Sequence, residues 1–172
     1  MPDTLIEPRN SVANLSGAHH ASGADLSLGL FETDNPAKFG MVRLNRHGEI
    51  TGFVDKPKQT SLKWMWGLAV WSPAFSAFMA EALASMPAGG PEVVLSDIFD
   101  LARQQGLKIA GCALAGSTYN DIGTPEEFQR VVQNLADRNG MPRVPGLVDN
   151  RPVVKSPAMA VAGRLSVVQG IR

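Results

Sequence analysis

The sequence predicts an α/β protein, and three stretches carry that prediction. A helical stretch begins near Pro8, Asn10 and Ser11, ends by Gly23, and leads into residues 25–31, where Leu26, Leu28 and Leu30 alternate with Ser27 and Gly29. Period-two alternation marks a strand, and a helix leading into a strand is how α/β sheets are built. Residues 39–57, FGMVRLNRHGEITGFVDKP, form two strand patterns joined by Asn45-Arg46-His47-Gly48, with Asn first and Gly last as a type I turn prefers. Trp64–Trp71 then reads as a strand, and Ser72-Pro73 opens a helix as N-cap and first helical residue.

Taken in order, the first helix has a thin apolar face, chiefly Val12, Leu15 and Ala18. His19 and His20 lie near its end; a metal site needs further ligands at suitable spacing. They are therefore expected to be solvated cations at a helix C-terminus. After the Thr33-Asp34-Asn35-Pro36 turn and the hairpin comes a polar loop, residues 58–63. Gly67 sits mid-strand, where a glycine marks a bulge or the close approach of a ligand; packing room among Trp64, Trp66 and Trp71 is the other reading. Behind Ser72-Pro73, the side chains Phe75, Phe78, Met79, Ala82, Leu83 and Met86 recur at helical spacing and form a core stripe. Residues 88–91, AGGP, end that helix. Residues 92–105 read as helical from about Ser96, with Ile98, Phe99, Leu101 and Ala102 inward, Ser96 and Asp97 as caps, and Gly106 as the stop. Residues 107–115 form a strand. Thr124, Pro125 and Glu127 make a capping box, behind which Phe128, Val131, Val132 and Leu135 face inward as far as Asn139-Gly140.

At 172 residues the chain is long enough for one domain with a real core. Lys+Arg and Asp+Glu both number 16, so net charge offers no argument for nucleic acid or a membrane as partner. The single cysteine, Cys112, lies in an apolar run and reads as a buried structural thiol of a cytosolic protein. MPDTLIEPRN has neither a basic region nor an apolar core, and no segment is apolar for long enough to cross a bilayer. The expectation is a soluble, cytoplasmic protein. From Met141 the character changes: Pro142, Pro145, Pro152 and Pro157 break any periodicity, and Asp149 is the one acid against Arg143, Arg151, Lys155, Arg164 and Arg172. The expected organisation is a domain over residues 1–140 and a flexible, mildly basic tail over 141–172.

The hairpin carries the most chemistry. Doubling back brings Gly40 near Asp55-Lys56-Pro57, so a glycine, a carboxylate and a lysine share one end. The glycine admits a bulky ligand to the main chain, the lysine neutralises a phosphate, and the carboxylate accepts hydrogen bonds from hydroxyls. Those are the needs of a sugar phosphate, although the same residues also decorate solvated surface hairpins. Asp121, just before Ile122-Gly123, is equally suited to capping its own loop.

The order G-x-V-x-L/F-x-x-x-G-x-I/V-x-x-F-x-[ED]-K-P resembles the sugar-binding hairpin of the sugar-phosphate nucleotidylyltransferases, the family that includes glucose-1-phosphate thymidylyl-, uridylyl- and adenylyltransferases. The resemblance continues in WMWGLAVWSP and YNDIGTPEEF, in the family's order, and covers the chain from its start to Leu135. It implies a Rossmann-like mixed sheet of the nucleotidyltransferase (GT-A-like) type. It also implies a Mg²⁺-dependent reaction in which a nucleoside triphosphate and a sugar 1-phosphate give a nucleoside-diphosphate sugar and pyrophosphate. On that resemblance Lys56 clamps the sugar phosphate, and Gly40, Asp55 and Gly67 shape the hexose site. Glu92, preceding Leu95-Ser96-Asp97 as an acidic residue precedes the family's T/S-D pair, hydrogen-bonds to sugar hydroxyls. Asp121 matches the W/Y-x-D-x-G-T aspartate that binds the catalytic metal, and Asp3 in Met1-Pro2-Asp3-Thr4 corresponds to the other metal carboxylate. One or two protein carboxylates suffice for a Mg²⁺ that bridges phosphates. Asp55 replaces a commoner glutamate and so reaches less far.

One family feature is missing from these residues. The loop G-x-G-[TS]-R-L, whose backbone N–H groups cradle the triphosphate, has no counterpart: Ser16-Gly17-Ala18 and Ala88-Gly89-Gly90 lack the arginine and the preceding apolar strand. The expectation is the C-terminal portion of a catalytic domain, truncated at its N-terminus, acting on a hexose 1-phosphate and a nucleoside triphosphate. A homo-oligomer or another chain would supply the nucleotide half. The alternatives are a catalytically silent sugar-phosphate-binding or regulatory module, and a fragment with an open sheet edge.

Overall fold

The computed structural model describes residues 3–87, 90 and 92–141. These fall into two compact units, residues 8–117 and residues 3–7 with 118–141. The expected tail lies, but for Met141, outside the described residues, as do Ala88, Gly89 and Pro91 of the expected helix stop.

The larger unit holds α1 (Ser11–Ser22), β2 (Leu26–Glu32), β3 (Gly40–Leu44), β4 (Ile50–Asp55), β5 (Trp64–Trp71), α2 (Pro73–Ala84), α3 (Leu95–Gln104) and β6 (Ile109–Ala113). Its five strands form one sheet in the order β4-β3-β5-β2-β6. Only β6 runs parallel to its neighbour, β2; the other pairs are antiparallel. The sheet is therefore mixed, as the α/β reading required. A parallel strand needs a crossover, and α2 and α3 lie in the connection that leads to β6.

β2 is buried on both faces. Leu26, Leu28 and Leu30 point into a core with Phe75 and Ala82 of α2 and Ile98, Phe99 and Ala102 of α3. The alternate residues face α1: Ser27 bonds His19, and a β-carbon on Gly29 would lie 3.3 Å from a Leu15 methyl. The alternating pattern located the strand, but α1 covers the face on which small and polar residues sit. His19 is accordingly not a solvated helix-end cation. It is 7% exposed, and its Nδ1 lies 2.9 Å from Ser27 Oγ, itself buried. Val12, expected inward, is exposed, whereas Leu15 is buried as expected, with Ser11 and His19 completing the buried side of α1.

The hairpin closes as its turn residues demand. Gly48 N–H donates to Asn45 O at 3.0 Å, Asn45 Oδ1 accepts from the N–H groups of His47 and Glu49, and Gly48 takes φ 81°, which glycine adopts without strain. α2 is capped as expected, Ser72 Oγ accepting from Phe75 N–H at 3.2 Å; of its stripe, Leu83 is exposed. α3 departs further: its N-cap is Val94 with no side-chain cap, and Ser96 is buried within the first turn. Ser96 and Asp97 do not cap this helix.

In the smaller unit β1 (Thr4–Glu7) pairs antiparallel with β7 (Thr118–Asp121), and α4 (Pro125–Arg138) follows. Thr124 Oγ1 accepts from Glu127 N–H at 3.2 Å and donates to the Glu127 carboxylate, so the cap forms as the sequence specifies. Arg138 reaches Glu7 at 3.0 Å. Val131 and Ala136 are buried, whereas Phe128, expected inward, is half exposed. No described helix is long and apolar enough to cross a membrane.

Candidate functional site

Each unit carries one group of the candidate residues. In the larger unit the β3–β4 register pairs Gly40 directly with Asp55, and Lys56 N–H donates to Phe39 O at 3.1 Å. Glycine, carboxylate and lysine thus share one hairpin end, with Asp55 and Lys56 exposed. Lys56 has φ 40°, the one non-glycine residue in the left-handed region among the described residues. That conformation costs a side-chain-bearing residue of order 1–3 kcal/mol and is concentrated at functional sites.

Gly40 is packed from inside the protein. A β-carbon there would overlap Trp66 Nε1 and lie 3.0 Å from Ser96 Oγ, the acceptor of the Trp66 indole N–H at 3.0 Å. The glycine therefore admits an indole on its β-carbon side. Gly67 follows Trp66 and is the extra residue of a bulge: Leu68 pairs with Gly29 and Trp66 with Leu30, leaving Gly67 unpaired. Glu92 is exposed in the coil before α3. The roles of Trp66 and Ser96 escaped the sequence reading. The one available signal was the crowding of three tryptophans around Gly67.

In the smaller unit the register Thr4↔Asp121 brings the start of β1 to the end of β7. Asp3 O accepts from Ile122 N–H at 2.8 Å, and Asp121 Oδ1 accepts from Gly123 N–H at 2.8 Å. Asp121 therefore does cap its own loop, and the same loop draws in Asp3. The position of a β-carbon on Gly123 would lie 3.1 Å from Asp121 Oδ1 and 3.4 Å from Asp3 Oδ2, so both carboxylates converge on one spot. Asp3 Oδ1 is buried without a hydrogen-bond partner. A buried, unbonded carboxylate oxygen is costly. A hard cation would give it a partner, and all-oxygen donors suit Mg²⁺. No group of three or more His, Cys, Asp or Glu side chains suited to a metal occurs among the described residues; the arrangement is a pair.

Two other titratable groups lie apart from these sites. Burial lowers the His19 pKa below the usual imidazole value, helped by the neighbouring His20 charge and opposed by Asp25. Cys112, expected buried, is only half-buried, and that burial raises the pKa of its thiol.

The larger unit is a mixed α/β sheet bearing a hairpin with a lysine and a carboxylate at one end, and the smaller unit is a β-pair that joins two aspartates. The family model described as Nucleotidyl transferase matches residues 3–138, and the chain belongs to that family. It is 24% identical over 149 residues to the bifunctional protein GlmU of Methanococcus vannielii, an alignment covering 84% of this chain and 34% of the relative. Its fold matches a crystal structure from Bacillus anthracis, assigned as a glucose-1-phosphate thymidylyltransferase in complex with a sucrose. The TM-score is 0.63 at 17% identity, over 74% of this chain and 49% of that one. The chain thus spans about a third of the length of the curated relative and about half of the structural neighbour. The mixed sheet is the Rossmann-like sheet of the nucleotidyltransferases.

Proposed function

We propose that this chain takes part in sugar-nucleotide synthesis of the pyrophosphorylase type, NTP + hexose 1-phosphate → NDP-sugar + pyrophosphate, with Mg²⁺. The observation that carries the reading furthest is the convergence of Asp3 and Asp121, with one Asp3 oxygen buried and unbonded. A sugar 1-phosphate oxygen attacks the nucleotide α-phosphorus in line while pyrophosphate leaves, a reaction that needs positioning and charge neutralisation and no covalent intermediate with the protein. In this reading Lys56 neutralises the sugar phosphate, and Asp55 and Glu92 accept hydrogen bonds from hexose hydroxyls. Gly40 and Gly67 shape the wall beside the sugar. Asp3 and Asp121 would hold the Mg²⁺, which supplies charge neutralisation at the phosphates. The structural neighbour's assignment as a glucose-1-phosphate thymidylyltransferase supports the reading.

The test is pyrophosphate release from glucose 1-phosphate, Mg²⁺ and each common nucleoside triphosphate. The reading expects release with one of them, lost in Asp121→Asn and strongly reduced in Lys56→Ala. Release that survives Asp121→Asn would overturn the metal assignment. No release from a folded sample that still binds glucose 1-phosphate would assign the chain as a sugar-phosphate-binding module instead.

A further inference from the structure

The indole of Trp66 stands where three elements of the larger unit meet. It donates to Ser96 Oγ on α3 at 3.0 Å, it occupies the space a β-carbon on Gly40 of β3 would need, and its ring packs edge-on against Phe99, centroids 5.1 Å apart. Ser96 is 3% exposed, so its hydroxyl has left water for this bond. Gly40 is in turn the register partner of Asp55, and the next residue, Lys56, is tied to Phe39. A continuous set of contacts therefore runs from the first turn of α3 through Trp66 to the hairpin end. Trp66 also directly precedes the Gly67 bulge, so this one residue adjoins Gly67 in the chain while its indole fills the space beside Gly40. The hairpin also meets α3 through Phe53 against Phe99, centroids 5.9 Å apart. Apolar contacts resist separation but are not directional. The indole–hydroxyl bond is directional and fixes Trp66, which fills the space beside Gly40, against α3.

We infer that Trp66 and Ser96 are positioning residues for the sugar-phosphate site, holding Gly40, and through it Asp55 and Lys56, in the binding arrangement. This rests on the hairpin reading proposed above. Neither side chain needs to touch the ligand. The Lys56 N–H bond to Phe39 O ties that residue to the end beside Gly40, and small displacements of a positioning group are costly to recognition.

The test combines two readouts on the full chain, with Ser96→Ala, Trp66→Phe, the double variant and Ser96→Thr. Amide hydrogen exchange reads the hairpin without ligand. Ser96→Ala and Trp66→Phe are expected to speed exchange at the Lys56 N–H about tenfold, leaving the Ser72 N–H bond to Asp25 O unchanged. Calorimetric titration with glucose 1-phosphate should show about tenfold weaker binding in each single variant. The double variant should be no weaker than either, because the two changes remove one shared bond. Ser96→Thr, which keeps the hydroxyl, restores both values. Uniform acceleration of exchange throughout the unit, or unchanged exchange at Lys56, would overturn the inference. Lys56→Ala in the same titration separates the two readings. If it binds as tightly as wild type, or if wild type does not bind, the hairpin is not the sugar-phosphate site. If it loses binding while Ser96→Ala retains it, only the positioning role fails.

Discussion

Lys56 and His19 show how a residue's surroundings decide its role. Lys56 holds φ 40° although its side chain is exposed and no described residue pairs with its charge. Glycine in its place relieves the backbone, so Lys56→Gly is expected to raise the unfolding free energy by about 1 kcal/mol in urea titrations. The same variant should bind glucose 1-phosphate at least about tenfold more weakly, since a charge-assisted contact is lost. A gain in stability with a loss of binding is the signature of strain kept for function. His19 is the opposite case, a titratable group used for packing. Its folded-state pKa lies below the unfolded value of 6.5, because burial and the His20 charge disfavour the imidazolium. The unfolded chain therefore binds the extra proton first as pH falls. The contribution of His19 is fully present above pH 6.5 and is lost progressively below it, down to the folded pKa. Urea midpoints taken from pH 8 to pH 5 should show this decline, and His19→Gln should flatten it.

At the scale of elements, what the sequence disclosed was local. Asn45 and Gly48 set the hairpin turn, and Ser72-Pro73 and Thr124-Pro125 set helix starts, because each of these signals is answered by a backbone group within four residues. Ser96 looked like another such cap and is not one, because its partner is Trp66, thirty residues away on a strand. His19 was misplaced for the same reason: whether a helix-end histidine is solvated depends on whether a serine of β2 lies beneath it. Gly40 was legible as a special position, but the sequence suggested a ligand at the main chain, whereas its β-carbon side is filled by Trp66. Gly40→Ala should consequently destabilise the larger unit by about 1–3 kcal/mol, as overpacking of a filled site does. Thermal unfolding would register this as a lower midpoint without any ligand present. An unchanged midpoint would mean that the indole moves aside freely.

For the whole molecule, the mixed sheet and the family followed from the order of several matched stretches, each weak alone. Asp3 was the least legible of the candidates. Its partner strand is remote, Thr4 and Tyr119 being hydrogen-bonded across 115 residues of sequence, and no local pattern announces that register. Once β1 pairs with β7, Asp3 and Asp121 converge over Gly123 with no further adjustment. That convergence is the centre of the functional account, and it can be probed without substrates. Mn²⁺, an oxygen-seeking paramagnetic stand-in for Mg²⁺, broadens amide resonances near the place where it binds. Substoichiometric Mn²⁺ is expected to broaden the amides of Asp3, Thr4, Ile122 and Gly123 first, and Asp3→Asn with Asp121→Asn to abolish the effect. Broadening that begins at other carboxylates, or that persists in the double variant, would contradict it.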